Sequence, residues 1–142
     1  MQLTYHPYQD SDFPFCNTLI MRNMGGYFAD LDIQWNPERY RGFIAEGIAQ
    51  IVSWGESKIG FYHLTEEADH VYLHNVQLGK DYQGKGIGGQ VMEIVEKECQ
   101  QRGKTTLMLS VFKENPALRL YKRRGFELEK DRGYKVLLKK SL

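Results

Sequence analysis

Between positions 83 and 89 the chain reads Gln83-Gly84-Lys85-Gly86-Ile87-Gly88-Gly89, so that four of six consecutive residues are glycine. An apolar, strand-like run precedes this stretch. Behind it Ile87, Val91, Ile94, Val95 and Cys99 recur at helical spacing. Glycine removes the Cβ atoms that would hold a ligand away from the main chain. The first amides of a helix have no internal acceptor and carry partial positive charge. A glycine loop opening a helix is therefore an anion cradle, suited to a phosphate or pyrophosphate.

The elements that must position this loop are legible around it. Met1 to Tyr8 suits a short strand. Phe13, Cys16, Ile20 and Met24 then mark an amphipathic helix that Gly25-Gly26 is expected to interrupt. Tyr27 to Asn36 is aromatic and irregular. Pro37 opens a second short helix to about Glu46, with Tyr40, Phe43 and Ile44 on its inner side. Ile48 to Trp54, Lys58 to Thr65 and Val71 to Leu78 read as three strands joined by turns too short for anything but antiparallel neighbours. After the loop and its helix, which ends near Gly103, Thr105 to Val111 is a strand. Asn115 can cap a short helix with Pro116 at its first position, and Gly125 stops it. Phe126 to Lys130 and Tyr134 to Leu138 form a closing hairpin. The order β-α-α-β-β-β-α-β-α-β-β implies one α+β domain over residues 1–142, with a mixed, mostly antiparallel sheet flanked by helices.

Three ligand chemistries compete for the loop. Gly84, Gly86 and Gly89 satisfy G-x-G-x-x-G. However, the strand before them is reached through hairpins, Gly79 to Gln83 intervene, and no acid ends Thr105 to Val111 to hold a ribose. Gly79 to Lys85 fits G-x-x-x-x-G-K, but Gly86 follows where a magnesium-binding hydroxyl is required. The flanks fit a third pattern: Gln83-x-x-Gly86-x-Gly88, after an apolar strand and a short polar loop, resembles the acetyl-CoA signature Gln/Arg-x-x-Gly-x-Gly/Ala of the GNAT superfamily of N-acetyltransferases. A plain tight turn would not need so many glycines, each with an entropic cost.

A second segment strengthens the resemblance. Asn115-Pro116-Ala117-Leu118-Arg119-Leu120-Tyr121-Lys122-Arg123-Arg124-Gly125-Phe126 is similar to the superfamily's later cofactor motif, one helix and one strand beyond the loop. The resemblance covers about Ile48 to Leu138, and the N-terminal third shares only the layout. It implies an acetyl-CoA-dependent N-acetyltransferase acting on a small-molecule or peptide amine, with no metal, and it leaves a homodimer open; the expected cytoplasmic location rests instead on the sequence's lack of a signal-peptide pattern or membrane span. It further implies that Gln83, Gly84, Lys85, Gly86, Ile87, Gly88 and Gly89 hold the CoA pyrophosphate. Val76, Gln77 and Leu78 pair through their backbone with the pantetheine arm, and a main-chain N–H there receives the oxyanion. Asn115 hydrogen-bonds the cofactor, and Tyr121 protonates the departing thiolate. A phenol with an ordinary pKa of about 10 carries its proton at neutral pH and suits that last role.

An ammonium acceptor must lose a proton before it attacks, so a base or water relay is needed. Many members of the superfamily place a glutamate on the strand before the glycine loop, and here that position is Asn75, which can orient water but not accept a proton usefully. His74 adjoins it, although a regular strand turns neighbours to opposite faces; His63 and Glu46 are further candidates. Tyr27, Phe28, Trp35 and Trp54 could wall an acceptor pocket, with Asp30 and Asp32 attracting a cation, or could simply pack the helix pair on the sheet. Lys85, Arg119 and Lys122 could meet the 3′-phosphate of CoA.

Composition narrows the remaining options. The formal net charge of +1 gives no basic field for nucleic acid. No apolar run approaches the ~18 residues of a membrane span, and the first ten residues lack a signal-peptide pattern. The two cysteines, Cys16 and Cys99, fall at apolar-spaced helical positions and read as buried, reduced thiols.

Overall fold

A computed structural model describes residues 2–142. Its strands are β1 (Leu3–Pro7), β2 (Ile48–Trp54), β3 (Ser57–Glu66), β4 (Val71–Leu78), β5 (Thr106–Phe112), β6 (Glu127–Asp131) and β7 (Lys135–Ser141). Its helices are α1 (Phe13–Asp30), α2 (Pro37–Glu46), α3 (Ile87–Gln101) and α4 (Ala117–Arg123), with 3-10 turns at Asp10–Asp12 and Lys80–Tyr82. The element order is the one expected. Met1, the first residue of the expected N-terminal strand, lies outside the described residues.

The strands hydrogen-bond in the order β1-β2-β3-β4-β5-β7-β6. The β1–β2, β2–β3, β5–β7 and β6–β7 pairs are antiparallel, and β4–β5 is parallel, as a helical crossover through α3 requires. The sheet is therefore mixed and mostly antiparallel. The residues group into two compact units: one runs to Leu64 and adds Asn75–Tyr82, the other comprises Thr65–His74 and Gln83–Leu142.

The first unit is built on α1, α2 and β1–β3. Phe13, Cys16, Leu19, Ile20, Tyr40, Ile44, Ala49, Ile51 and Phe61 form its core. Contrary to expectation, Gly25-Gly26 does not interrupt α1, which continues to Asp30. Two helix-interior glycines cost about 1 kcal/mol each. The last turns are held by the amide of Asn23, which donates to the Leu78 carbonyl at 2.9 Å, and by Phe28 stacked on Trp35 at 5.4 Å. Phe43, expected on the inner side of α2, is exposed and instead lies edge-on to the His63 ring.

A buried carboxylate pins the start of α1. Asp12, 4% exposed, accepts from the Gln9 N–H at 2.9 Å and from Lys58 Nζ at 2.6 Å. Burial alone would raise its pKa. The Lys58 and Gln9 hydrogen bonds, with the charges of Lys58 and His6, outweigh burial and lower it. A depressed folded-state pKa means stability that is present above the ordinary carboxylate pKa and is lost as pH falls through the folded value. Asp12→Asn should therefore cost about 1–2 kcal/mol at pH 7, and the gap should close below pH 4. Urea unfolding of both proteins across that range checks it.

In the second unit Ile87, Val91, Met92, Val95 and Cys99 of α3 are buried, as are Leu107, Leu109 and Val111, alternate residues of β5. Glu96 receives Arg124 Nε at 3.1 Å and Lys140 Nζ at 2.8 Å, which ties α3 to the end of α4 and to β7. Cys16 and Cys99 are both buried free thiols, and burial pushes them up to about 12 and about 11, so they stay unreactive near neutral pH. β6 is exposed at all five residues, and its register with β7 shifts between Leu128 and Lys130. Among the described residues no helix is long and apolar enough to cross a membrane.

Candidate active site

The glycine loop adopts the backbone its composition allows. Gly84 has φ of +70° and Gly86 +83°, and Gly86 occupies the N-cap of α3 in the left-handed region. Side chains at helix N-caps ordinarily satisfy the first amides; Gly86, at the N-cap of α3, has no side chain with which to do so. A Cβ built on Gly84 or Gly86 would meet no protein atom within 4 Å. These glycines therefore serve the loop's conformation and leave space in front of its amides, where a bound anion would sit.

α4 is set by local chemistry. Asn115 Oδ1 accepts from the Ala117 N–H at 2.9 Å and its carbonyl from the Leu118 N–H at 3.0 Å. Pro116 stands at the N-cap, so the helix begins one residue later than expected, at Ala117. Gly125, at φ of +95°, ends the turn behind it. Tyr121 is buried on this helix with its ring edge-on to Phe126 at 5.7 Å. Burial pushes its hydroxyl up to about 12.

On β4 the parallel ladder with β5 includes Val71↔Leu107, Tyr72↔Met108 and Leu73↔Leu109. His74 Nε2 lies 2.8 Å from Thr65 Oγ1, and that hydroxyl donates to Glu67 Oε1 at 3.0 Å. Because the threonine proton is committed to Glu67, the imidazole must be the donor in its bond to Thr65. The neutral ring therefore carries its proton on Nε2 and its lone pair on Nδ1. Burial lowers the His74 pKa, partly opposed by Glu67.

In the first unit Asn75 has separate partners. Its Nδ2 donates to the Tyr40 hydroxyl at 2.8 Å, and its Oδ1 accepts from Gln77 Nε2 at 2.9 Å. Tyr40 Oη lies 2.8 Å from His63 Nδ1, and His63 is fully buried. Asn23, Tyr40 and the Gln77 side chain were not singled out as functional from the sequence. The available signal was two amide side chains, Asn75 and Gln77, two apart and so on one face of a strand whose ends are apolar.

The four candidate aromatic wall residues have different surroundings. Trp35 stacks on Phe28, donates its indole N–H to Asn17 Oδ1 at 2.8 Å and packs on the core. Tyr27 is partly buried on α1. Trp54 is 45% exposed and edge-on to Tyr82 at 6.1 Å. Among the described residues no group of three His, Cys, Asp or Glu side chains could hold a metal ion.

Comparison with known proteins follows the same lines. The model of the acetyltransferase (GNAT) family matches residues 8–126. No curated protein sequence matches the chain. Among solved structures, the PaiA N-acetyltransferase of Thermoplasma acidophilum in complex with coenzyme A is 18% identical, with a TM-score of 0.84 over 100% of both chains. The ribosomal-protein-S18-alanine N-acetyltransferase of Escherichia coli is 20% identical, with a TM-score of 0.83 over 99% of this chain and 94% of its own. A GNAT family acetyltransferase from Elizabethkingia anophelis with acetyl-CoA bound is 18% identical, with a TM-score of 0.78 over 99% and 98%. At these identities the likeness speaks to the fold, while the family match over most of the sequence decides membership: the chain belongs to the GNAT acetyltransferase family.

Proposed function

We propose that this protein moves an acetyl group from acetyl-CoA to a primary amine of a small molecule or peptide, by direct attack in a ternary complex in the cytoplasm. The observation that carries this reading is the start of α3: a helix whose N-cap is glycine, behind glycines whose left-handed backbone leaves open space before the first amides. That arrangement fits the pyrophosphate of CoA. Residues 83–89 hold it, and Asn115 adds a hydrogen bond. The main chain of Val76, Gln77 and Leu78, at the end of β4, receives the pantetheine arm.

The reaction forms a C–N bond and breaks the thioester C–S bond; an ammonium acceptor loses two protons, one released to solvent through the base and the other, shed by the nitrogen after attack, replacing the proton that Tyr121 gives to the sulfur. Tyr121, protonated across the working range, gives its proton to the sulfur. His74, held by its bond to Thr65, takes the first proton of the amine. Asn75 orients the acceptor or a water molecule.

A histidine with a lowered pKa is neutral and competent at pH 7 and loses competence as pH falls below the ordinary 6.5. The kcat/KM profile should show an acid limb below that value. In His74→Gln the limb should disappear and the plateau should drop about 10- to 100-fold. An unchanged limb in the variant would take the base role from His74.

Thiol release from acetyl-CoA over polyamines, amino acids, aminoglycosides and peptide N-termini tests the reading as a whole. Binding of CoA with no amine-dependent thiol release would make the protein an acyl-CoA-binding module.

A further inference from the structure

Five side chains of the first unit form one directional chain of hydrogen bonds. Its polarity can be worked out from one end. The Leu78 carbonyl can only accept, so the group of Asn23 that faces it at 2.9 Å is the amide nitrogen. The same nitrogen donates its second proton to Gln77 Oε1 at 3.1 Å. The Gln77 amide is thereby oriented with Nε2 toward Asn75 Oδ1, at 2.9 Å. Asn75 must then turn Nδ2 to the Tyr40 oxygen, at 2.8 Å. Asn75 takes one lone pair of that oxygen, and with the donor order continued along the chain the Tyr40 proton goes to His63 Nδ1, at 2.8 Å. His63 is left neutral, with its ring proton on Nε2.

Asparagine and glutamine amides can ordinarily reverse with little change of shape. In this chain a reversal at any member would set two donors or two acceptors face to face in a buried region, since Tyr40, His63 and Gln77 are all less than a tenth exposed. Gly47 supports the far end, because a Cβ there would fall on the His63 ring. Asn75 consequently keeps one Nδ2 proton and one Oδ1 lone pair beyond those used in the chain, both in fixed directions. The groups that fix it lie 35 and 52 positions earlier in sequence, on α2 and α1.

We propose that Asn23 and Tyr40 are positioning residues for acetyl transfer, holding the Asn75 amide in one orientation through a relay whose polarity is set by the Leu78 carbonyl. The proposal rests on the acetyltransferase reading for its kinetic consequence, and it has a second consequence that does not. In the intact protein labelled with 15N-histidine, His63 should be the neutral Nε2–H tautomer. Asn23→Leu, four side chains away, should allow both tautomers. A His63 signal that stays wholly Nε2–H in Asn23→Leu would overturn the relay whatever the enzyme does.

For the kinetic arm, Tyr40→Phe removes the hydroxyl but keeps the ring packed between Trp35 and His63, tilted to the first and edge-on to the second. It should lower kcat by about tenfold and leave the KM for acetyl-CoA within about twofold. Asn23→Ser provides a smaller change should the leucine variant fold poorly, with the same tautomer readout. An unchanged kcat in Tyr40→Phe, with chemistry rate-limiting, would overturn the positioning role. Wild-type protein that transfers to no amine would overturn the positioning role together with the functional reading, while the tautomer result would still judge the relay.

Discussion

Tyr121→Phe should reduce kcat by about 100-fold while the affinity for CoA changes less than about threefold. The size follows from general acid catalysis, which contributes about 10²- to 10⁴-fold. The selectivity follows from the group removed: one buried hydroxyl whose pKa is shifted by burial alone. The ring stays packed against Phe126 in the variant, so folding stability should move by less than about 1 kcal/mol. Because the hydroxyl titrates at about 12, Tyr121 keeps its proton to well above pH 10 and contributes no alkaline limb to the rate profile in the accessible range. Single-turnover mixing of the acetyl-CoA complex with amine separates the chemical step from product release. A variant that turns over as fast as wild type when chemistry limits would remove Tyr121 from the acid role.

Gly86→Ala should weaken CoA binding by about 100-fold, about 3 kcal/mol, with a far smaller effect on the fold. At φ of +83° an L-residue costs about 1–2 kcal/mol. Since a Cβ at this position meets no protein atom, strain is the whole cost within the protein. The methyl group enters the space before the α3 amides, where the diphosphate must approach. Gly133→Ala is the matched control. Gly133 has φ of +92° and an equally open Cβ position, but it lies in the β6–β7 turn. Both variants should melt a few degrees lower, and only Gly86→Ala should lose CoA in calorimetry. Equal CoA affinity in the two would mean that the diphosphate is held elsewhere.

The parts of this architecture that sequence reveals are those whose causes are local. The glycine loop is visible because left-handed backbone and close ligand approach both call for glycine within a few residues. The α4 cap is visible because Asn115 acts on Ala117 and Leu118, its near neighbours. Strands β2 and β4 have the expected bounds because their apolar runs end in short polar turns. What stayed hidden depends on distant partners. Nothing near Gly25 and Gly26 reveals that Asn23 and Phe28 are anchored to residues further along the chain, so the helix looked shorter than it is. The tautomer of His74 depends on Thr65 and Glu67, across a turn, and the orientation of Asn75 depends on Tyr40, on another helix. Polar residues in an apolar strand announce that partners exist without naming them.

One edge strand, β6, bears on how the protein behaves when concentrated. Its open border alternates Glu127, Leu128, Glu129, Lys130 and Asp131, and the offset after Leu128 bends the row of main-chain groups that a neighbouring molecule would need to match. Two copies brought together antiparallel along this border would set Glu129 against Glu129 and Glu127 against Asp131. Fibre-like growth from one molecule to the next is thereby discouraged, so neutralising Glu127 and Glu129 should be enough to make stored solutions turn cloudy.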